Sequence, residues 1–227
     1  GGVVHAGGVL RDATVLNQSV HSAREVFAPK LDALRTLTCA QGALPVQQLV
    51  AFSSVAALLG SAGQANYVAA NAGLDAWAQS HQMRGGMGVS VQWGAWGGGA
   101  GMASEAAATL SRMEKMGVGV LSAEAGLSCL EGVLSQAGRR AGTSMPFAPV
   151  ATANPFVWSR FLGGFAASPD KVPPLFSQFK DHIQPSTPPE HLLEFEDARP
   201  RLSTAAKQSS SARPRSTRTT TTADLQS

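Results

Sequence analysis

Three side chains in the first third of the sequence have types and spacings that suit the reduction of a carbonyl group. Ser54 ends an apolar run, Tyr67 follows it by 13 residues, and Asn71 lies four residues after Tyr67. A glycine-rich stretch separates Ser54 from Tyr67, and a helix beginning after that stretch would place Tyr67 and Asn71 on one face.

Each of these residue types has a defined task in such a reaction. Hydride transfer to a ketone carbon leaves an alkoxide, which needs a proton at once. A phenol can supply it, but an ordinary tyrosine pKa of about 10 makes the proton reluctant near neutral pH. A nearby cation lowers that pKa, and a serine hydroxyl can hold the carbonyl oxygen beside the phenol. Since Asn71 is uncharged, the cation must come from elsewhere in the chain.

The elements that must position these residues alternate between apolar strands and amphipathic helices. Strands are predicted at residues 2–8, 49–54, 88–94 and 149–152. Helices are predicted at residues 19–40, 65–82, 103–115 and 122–136, with Pro29 expected to kink or restart the first of them. This alternation predicts an α/β, Rossmann-like, doubly wound parallel sheet with helices on both faces, where ligands bind at the carboxyl ends of the strands.

Composition and charge exclude several other classes of protein. The chain has 227 residues, of which 44% are hydrophobic and 15% charged, so it can bury a sizeable core and is neither wholly disordered nor fibrous. Its net charge of +3 could indicate nucleic-acid binding, but residues 200–227 hold five basic residues against one acidic residue. No aromatic residues interrupt these basic ones, so no nucleic-acid partner is predicted.

Membrane and metal partners are also not predicted. No stretch reaches about 18 unbroken apolar residues, and the first residues lack the basic region and apolar core of a signal peptide. Cys39 and Cys129 lie 90 residues apart, with no Cys or His partner at a metal-ligand spacing. A cytoplasmic location and the absence of a metal site are the resulting expectations.

The composition predicts three regions along the chain. Residues 1–164 form the catalytic region, and residues 165–202 are expected to be an extended, proline-rich linker. Residues 203–227 are rich in serine, threonine and basic residues. Such a tail cannot bury enough apolar surface to offset its ordering entropy, so it is expected to be disordered.

The segment from Phe52 to Ala72 resembles the active-site stretch of the ketoreductase domains of type I polyketide synthases and animal-type fatty acid synthases. These domains belong to the short-chain dehydrogenase/reductase superfamily, whose ordinary members have a lysine four residues after the tyrosine. The ketoreductase domains have asparagine there and bring the lysine from the preceding helix. Asn71 and Lys30 match that exchange at the family's spacings from Tyr67, and the resemblance extends over residues 2–162.

The resemblance implies a substrate, a cofactor and a set of partners. It implies NADPH-dependent reduction of a β-ketoacyl thioester, carried by an acyl carrier protein domain, to a β-hydroxyacyl thioester. The other domains of a multidomain synthase would be further partners. Tyr67 would donate the proton, Ser54 would orient the carbonyl, Lys30 would lower the Tyr67 pKa and contact the nicotinamide ribose, and Asn71 would support a relay through water. The implied cofactor-binding residues are Gly7, Lys30, Tyr67 and Gly94.

Two further features of the resemblance concern stereochemistry. Many of these domains carry a Leu-Asp-Asp signature that is associated with a D-configured β-hydroxyl product, and this chain has Leu10, Arg11 and Asp12 in its place. The opposite class usually has a tryptophan eight residues before the tyrosine, where this chain has Leu59. Both features favour the D-configured product, and the candidate residues for substrate contact and stereocontrol are Asp12, Leu59 and Gln64.

One part of a dinucleotide-binding fold is absent from this sequence. No glycine-rich strand, turn and helix of the kind that binds a pyrophosphate is recognisable. The chain is therefore expected to be the C-terminal, catalytic portion of such a domain, lacking the N-terminal half of the sheet and inactive alone. A non-catalytic module that scaffolds neighbouring synthase domains remains an alternative. His5, at the end of the first strand, is expected to be a structural hydrogen-bonding group.

Overall fold

The architecture was analysed in a computed structural model that describes residues 1–41, 48–97, 107–138, 148–166 and 168–183. Residues 98–106, which include the start of the helix predicted at residues 103–115, lie outside these ranges. So do the predicted linker beyond residue 183 and the predicted tail at residues 203–227.

The described elements form a parallel sheet flanked by helices. The strands are β1 (Gly2–His5), β2 (Gln48–Ser54), β3 (Gly88–Trp93) and β4 (Val150–Ala153), which lie in the order β1-β2-β3-β4 and are all parallel. The helices are α1 (Val20–Phe27), α2 (Ala33–Gln41), α3 (Ala56–Leu59), α4 (Ala65–Met83), α5 (Ala107–Lys115), α6 (Ala123–Gly138) and α7 (Trp158–Gly163). Among these described helices, none is both long and apolar enough to cross a membrane.

Helices cover both faces of the sheet, and the alternation of side chains along β2 shows how. Leu49 and Ala51 point to one face, where they pack with Leu74 of α4 and Leu34 of α2. Val50 points to the other face and belongs to a core cluster that includes residues of α6. Because helices cover both faces, β2 and β3 contain no exposed residue, which is typical of strands in parallel sheets. The predicted α/β, Rossmann-like, doubly wound sheet is confirmed.

A buried carboxylate fixes α4 on the sheet. Asp75 accepts hydrogen bonds from the Ser90 hydroxyl at 2.6 Å and from Gln92 Nε2 at 2.8 Å, both on β3. Gln92 Oε1 in turn accepts from the Thr152 hydroxyl on β4 at 2.6 Å. The network therefore couples one helix to two strands and sets the rotation of α4 about its axis.

Pro29 divides the predicted first helix. The chain is α-helical up to Phe27, widens into a π-helical turn over Ala28–Asp32, and becomes α-helical again at Ala33. Proline has no backbone N–H to donate to the preceding turn, and its ring clashes with that turn's carbonyl, so the regular helix cannot continue through it. The widened turn carries Lys30.

Residues 168–183, called the C-terminal strap here, differ from the extended linker expected from residue 165 onward. They form 3-10 turns at Pro169–Lys171 and Pro174–His182. The strap packs by aromatic contacts, since the rings of Phe179 and Trp158 stack with their centroids 3.7 Å apart and Phe176 is buried against α7. The prolines begin these turns rather than keep the chain extended, because a fixed φ and a missing N–H are tolerated in a first helical turn.

Replacing a buried residue of the strap is expected to destabilise the folded chain. Phe176→Ala should lower the free energy of unfolding by about 3 kcal/mol, because it removes a buried ring and leaves a cavity. Leu175→Ala is the matched control, since Leu175 is 60% exposed and its loss should cost less than about 0.5 kcal/mol. Urea unfolding followed by tryptophan fluorescence measures both. Equal effects of the two substitutions would contradict the packing of the strap.

Candidate active site

The candidate residues gather at the carboxyl edge of the parallel sheet. Ser54 is the last residue of β2, while Gly7 and Gly94 follow the ends of β1 and β3. Tyr67 reaches the same edge on the first turn of α4, after a short connection from Ser54. Gly60 and Gly63 in this connection both have a φ of +77°. Only glycine adopts that conformation without strain, so these two residues allow the tight return.

Lys30 is a buried cation beside the tyrosine ring. Its side chain enters from the π-helical turn, is 3% exposed, and donates a hydrogen bond from Nζ to the Phe52 carbonyl of β2 at 3.1 Å. The same Nζ lies 5.3 Å from the centroid of the Tyr67 ring, within cation–π range. Burial lowers the pKa of Lys30 to about 8, although the negative charge of Asp75 opposes this shift. The ammonium therefore changes its charge closer to neutral pH than an exposed lysine does.

Tyr67, the single tyrosine of the chain, is 9% exposed. Burial raises the pKa of its phenol, hydrogen bonding with Ser54 and Asn71 lowers it, and the negative charge of Asp12 raises it. The net direction is upward, opposite to the lowering by Lys30 expected from the sequence. The reason is geometric, because Lys30 faces the ring and bonds to a backbone carbonyl while burial penalises the phenolate.

Asn71 stabilises the helix that carries Tyr67 and presents one free acceptor. It is fully buried, and its Nδ2 donates to the backbone carbonyl of Tyr67 at 2.9 Å. Its own backbone carbonyl accepts from the Ser53 hydroxyl at 3.2 Å. Within the described part of the chain, Asn71 Oδ1 has no hydrogen-bond donor. A buried acceptor without a partner is costly, so this atom is suited to a bound water or ligand hydroxyl.

The predicted cofactor glycines are sites of close packing. A Cβ atom at Gly7 would lie 2.8 Å from the Pro29 carbonyl oxygen, and one at Gly94 would overlap the side-chain oxygen of Asn154. A larger residue at either position would push apart two elements at the ligand edge. These packing contacts do not test a contact with the cofactor, which stays a prediction for both glycines.

Two of the three predicted stereocontrol residues come together. Gln64 Nε2 donates to Asp12 Oδ2 at 3.0 Å, just before Tyr67 in the chain. Leu59 instead packs into the cluster of Trp158 and the strap, whereas Tyr67 belongs to a different cluster. Asp12 is close enough to the Tyr67 phenol to raise its pKa, and Gln64 is bonded to Asp12. Leu59 packs in the separate cluster that contains Trp158.

Asn66 makes two positioning contacts that were not predicted from the sequence. Its Nδ2 donates to the Arg11 carbonyl at 2.8 Å, and its Oδ1 accepts from the Tyr67 backbone N–H at 2.7 Å. His5 was expected to be a structural hydrogen-bonding group, and its Nε2 donates to the Lys30 carbonyl at 2.9 Å. The one feature of the sequence that points to a role for Asn66 is its position next to Tyr67. The residues around Asn66 could not reveal its partner, because Arg11 lies 55 residues earlier.

Comparison with known proteins identifies similar sequences. A family model described as "KR domain" matches residues 1–98. Polyketide synthase GfsA of Streptomyces halstedii is 39% identical over 166 residues, which cover 73% of this chain and 2% of that protein. The phenolphthiocerol synthesis polyketide synthase type I Pks15/1 of Mycobacterium marinum is 38% identical over 135 residues, or 59% of this chain and 6% of that protein.

Solved structures give the same picture of the fold. A structure described as an A1-type ketoreductase is 30% identical, with a TM-score of 0.64 over 86% of this chain and 36% of that one. A-type ketoreductases from a modular polyketide synthase are represented by a structure that is 32% identical, with a TM-score of 0.63 over 73% of this chain and 33% of that one. The chain thus spans about a third of these solved chains and a few per cent of the curated relatives.

The buried Lys30 makes a prediction about stability and pH. The folded chain holds Lys30 at a pKa of about 8, against 10.5 when it is unperturbed, so between these values the unfolded chain binds more protons. The free energy of unfolding should therefore rise by about 2 kcal/mol from pH 8 to pH 10. Above about pH 10 the raised pKa of Tyr67 should reverse the trend.

Urea unfolding at a series of pH values measures this dependence. Lys30→Met should abolish the rise, because no proton is then gained at this position on unfolding. Lys171→Met, at an exposed position of the strap, should leave the rise intact. A flat profile in the wild-type chain would contradict the burial of a titrating Lys30.

Proposed function

This chain belongs to the family of ketoreductase domains found in type I polyketide synthases, and we propose that it carries out the proton transfer of a carbonyl reduction. The proposed reaction converts a β-ketoacyl thioester into a β-hydroxyacyl thioester, with NADPH as the reductant. The observation that carries this proposal is the approach of the Lys30 ammonium to 5.3 Å from the Tyr67 ring, with Ser54 at the adjacent strand end.

Ser54 and Tyr67 act on the carbonyl oxygen of the substrate. The Ser54 hydroxyl donates a hydrogen bond to that oxygen and holds it beside the phenol. Burial keeps the Tyr67 phenol protonated at neutral pH, since it raises the pKa, so the proton is in place before it is needed. As negative charge develops on the oxygen, the phenol donates its proton to it.

Lys30 and Asn71 support the loss and return of that proton. The ammonium over the ring face stabilises negative charge on the Tyr67 oxygen after donation. The unpaired Asn71 Oδ1 accepts a hydrogen bond from a water molecule that returns a proton towards Lys30 and Tyr67. This role accounts for a buried acceptor that has no donor in the described part of the chain.

The residues at the ligand edge fit the nicotinamide end of NADPH. When bound, NADPH supplies the hydride that converts the carbonyl into an alkoxide. Lys30 Nζ has one described protein acceptor, the Phe52 carbonyl, which leaves donor capacity for ribose hydroxyls. Gly7 and Gly94 let the ends of β1 and β3 pack closely against Pro29 and Asn154, and this packing holds the edge of the sheet that the ring would approach.

We assign the product the D configuration. The hydrogen bond between Asp12 and Gln64 forms one wall beside Tyr67, and Leu59 stands where the opposite class has tryptophan. Together, Asp12, Gln64 and Leu59 would admit the acyl chain from the side that gives the D-configured hydroxyl. The substrate would be presented by an acyl carrier protein domain, with other synthase domains as partners, since the relatives are far longer polyketide synthases.

Removing the phenolic hydroxyl should abolish reduction without preventing cofactor binding. In the complete synthase that contains this chain, Tyr67→Phe should lower kcat by about 10²- to 10⁴-fold, because the alkoxide loses its proton donor. The dissociation constant for NADPH, measured by its fluorescence, should change by less than about two-fold. Trp77→Phe, an aromatic replacement further along α4, is the control and should keep near-normal turnover.

Two outcomes of this experiment would contradict the proposal. Turnover retained by Tyr67→Phe would remove Tyr67 as the donor. A complete wild-type synthase that folds but reduces no β-ketoacyl thioester at this domain would favour the scaffolding alternative.

Changing the wall beside Tyr67 should alter the configuration of the product. Chiral chromatography of the product of the complete synthase should show an excess of the D-configured alcohol, and Asp12→Ala should reduce that excess. Arg11→Ala is the matched control, because Arg11 lies in the same loop but bonds to Glu25 on α1. An L-configured wild-type product would contradict the assignment, and an unchanged excess in Asp12→Ala would remove Asp12 from stereocontrol.

A further inference from the structure

His5 is a buried polar residue that the proposed reaction does not use. It ends β1, is 7% exposed, and donates from Nε2 to the backbone carbonyl of Lys30 at 2.9 Å. The bond joins residues 25 positions apart. Among the described residues, it is the one hydrogen bond from a side chain to the backbone of Lys30, the residue whose ammonium faces Tyr67.

The π-helical turn explains why this carbonyl needs support from outside. Pro29 offers no N–H to the turn before it, and the helix widens over Ala28–Asp32 before it recovers at Ala33. The Ala33 N–H is shared between the carbonyls of Ala28 and Lys30. Hydrogen bonds in such a turn are less regular than in an α-helix, and π-helical turns occur frequently at functional sites. The His5 ring supplies a second, well-placed donor to the Lys30 carbonyl.

The end of β1 also fits closely against the same turn. A Cβ atom at Gly7 would lie 2.8 Å from the Pro29 carbonyl oxygen and 3.2 Å from the His5 ring. Strand and turn are therefore in contact on both sides of the hydrogen bond. With its backbone held there, the Lys30 side chain points inward and reaches the Phe52 carbonyl, while Asp32 in the same turn is exposed.

We propose that His5 is a positioning residue for Lys30, acting through the Lys30 backbone carbonyl so that the ammonium is directed at the Tyr67 ring. The catalytic meaning of this role rests on the proposed function, but the positioning itself does not. Without the donor at residue 5, the turn relaxes and the Lys30 side chain reaches solvent.

The surroundings of Lys30 make its charge a direct readout of its position. From β1 it is approached by His5, from α4 by Tyr67 and Asp75, and from β2 by the uncharged Phe52 carbonyl. Burial is the dominant influence and holds the pKa of Lys30 at about 8, against 10.5 when the group is unperturbed. A Lys30 that has moved into solvent must therefore titrate higher.

The test measures the titration of Lys30 in the full 227-residue chain. Competitive acylation with acetic anhydride at a series of pH values, quantified by mass spectrometry for the Lys30 peptide, gives the midpoint. The wild-type chain should give a midpoint of about 8 and His5→Phe a midpoint near 10.5. His5→Gln, whose amide can donate to the carbonyl, should return the midpoint towards about 8. His81→Phe, a ring replacement at the far end of α4, is the control and should not move it.

A merely structural role for His5 predicts a different pattern. If His5 were merely structural, His5→Phe would be less stable but its Lys30 would still titrate with a midpoint of about 8 in the folded chain. That result would overturn the proposal. Near-UV circular dichroism verifies that each variant is folded. If His5→Phe does not fold, Pro29→Ala decides, because a regular helix would withdraw the Lys30 carbonyl from His5. A midpoint near 10.5 in Pro29→Ala then supports the proposal, and one near 8 overturns it.

A second readout separates this inference from the proposed function. In the complete synthase, His5→Phe should lower kcat by about 10²-fold, as expected for a misplaced catalytic group, with the KM for the β-ketoacyl thioester changed less than about two-fold. His5→Gln should restore most of the rate. A shifted Lys30 midpoint with an unchanged kcat would support the positioning by His5 and overturn the role of Lys30 in the reaction.

Discussion

The buried ammonium of Lys30 is the constraint on which the rest of the site depends. A charge removed from water is costly unless its surroundings compensate, and here they supply a backbone carbonyl, an aromatic face and a distant carboxylate. They come from two elements: the carbonyl of Phe52 from β2, and Tyr67 and Asp75 from α4. The strand, the helix and the π-helical turn must therefore be in their correct places at once for this lysine to be buried at all.

The parallel sheet satisfies that requirement by bringing the ends of successive strands to one edge. Ser54 comes to the edge because β2 ends there, and Tyr67 because the connection after it is short enough to return. The rotation of α4 is then set from two sides, by Asn66 at its first turn and by Asp75 at its middle. The same rotation buries Asn71 completely and leaves its Oδ1 without a hydrogen-bond donor among the described residues. In the proposed reaction, the water of the proton relay binds at this oxygen.

Prediction from the sequence was accurate for the sheet and inaccurate where distant contacts decide the outcome. The alternation of apolar strands and helices is a local signal, and it was sufficient for the α/β class and for the strands. The strap was expected to be extended because its prolines are also typical of linkers, whereas Phe176 and Phe179 find partners on α7. Leu59 is grouped with Asp12 and Gln64 by the family resemblance, and its role in stereocontrol stays a prediction; its packing against Trp158 was not foreseen from the sequence.

Residue types and intervals along the chain by themselves predict the proposed chemistry: a hydroxyl, a phenol, an amide and an ammonium at the spacings of the ketoreductase domains that the sequence resembles. These intervals predict which side chains meet because Ser54 ends a strand, a short connection follows, and Tyr67 and Asn71 lie one turn apart on the next helix. Only the tertiary structure decided how Lys30 meets the phenol and in which direction the Tyr67 pKa moves. Burial and the approach of groups 37 residues apart depend on packing, and packing is a property of the whole core rather than of any segment.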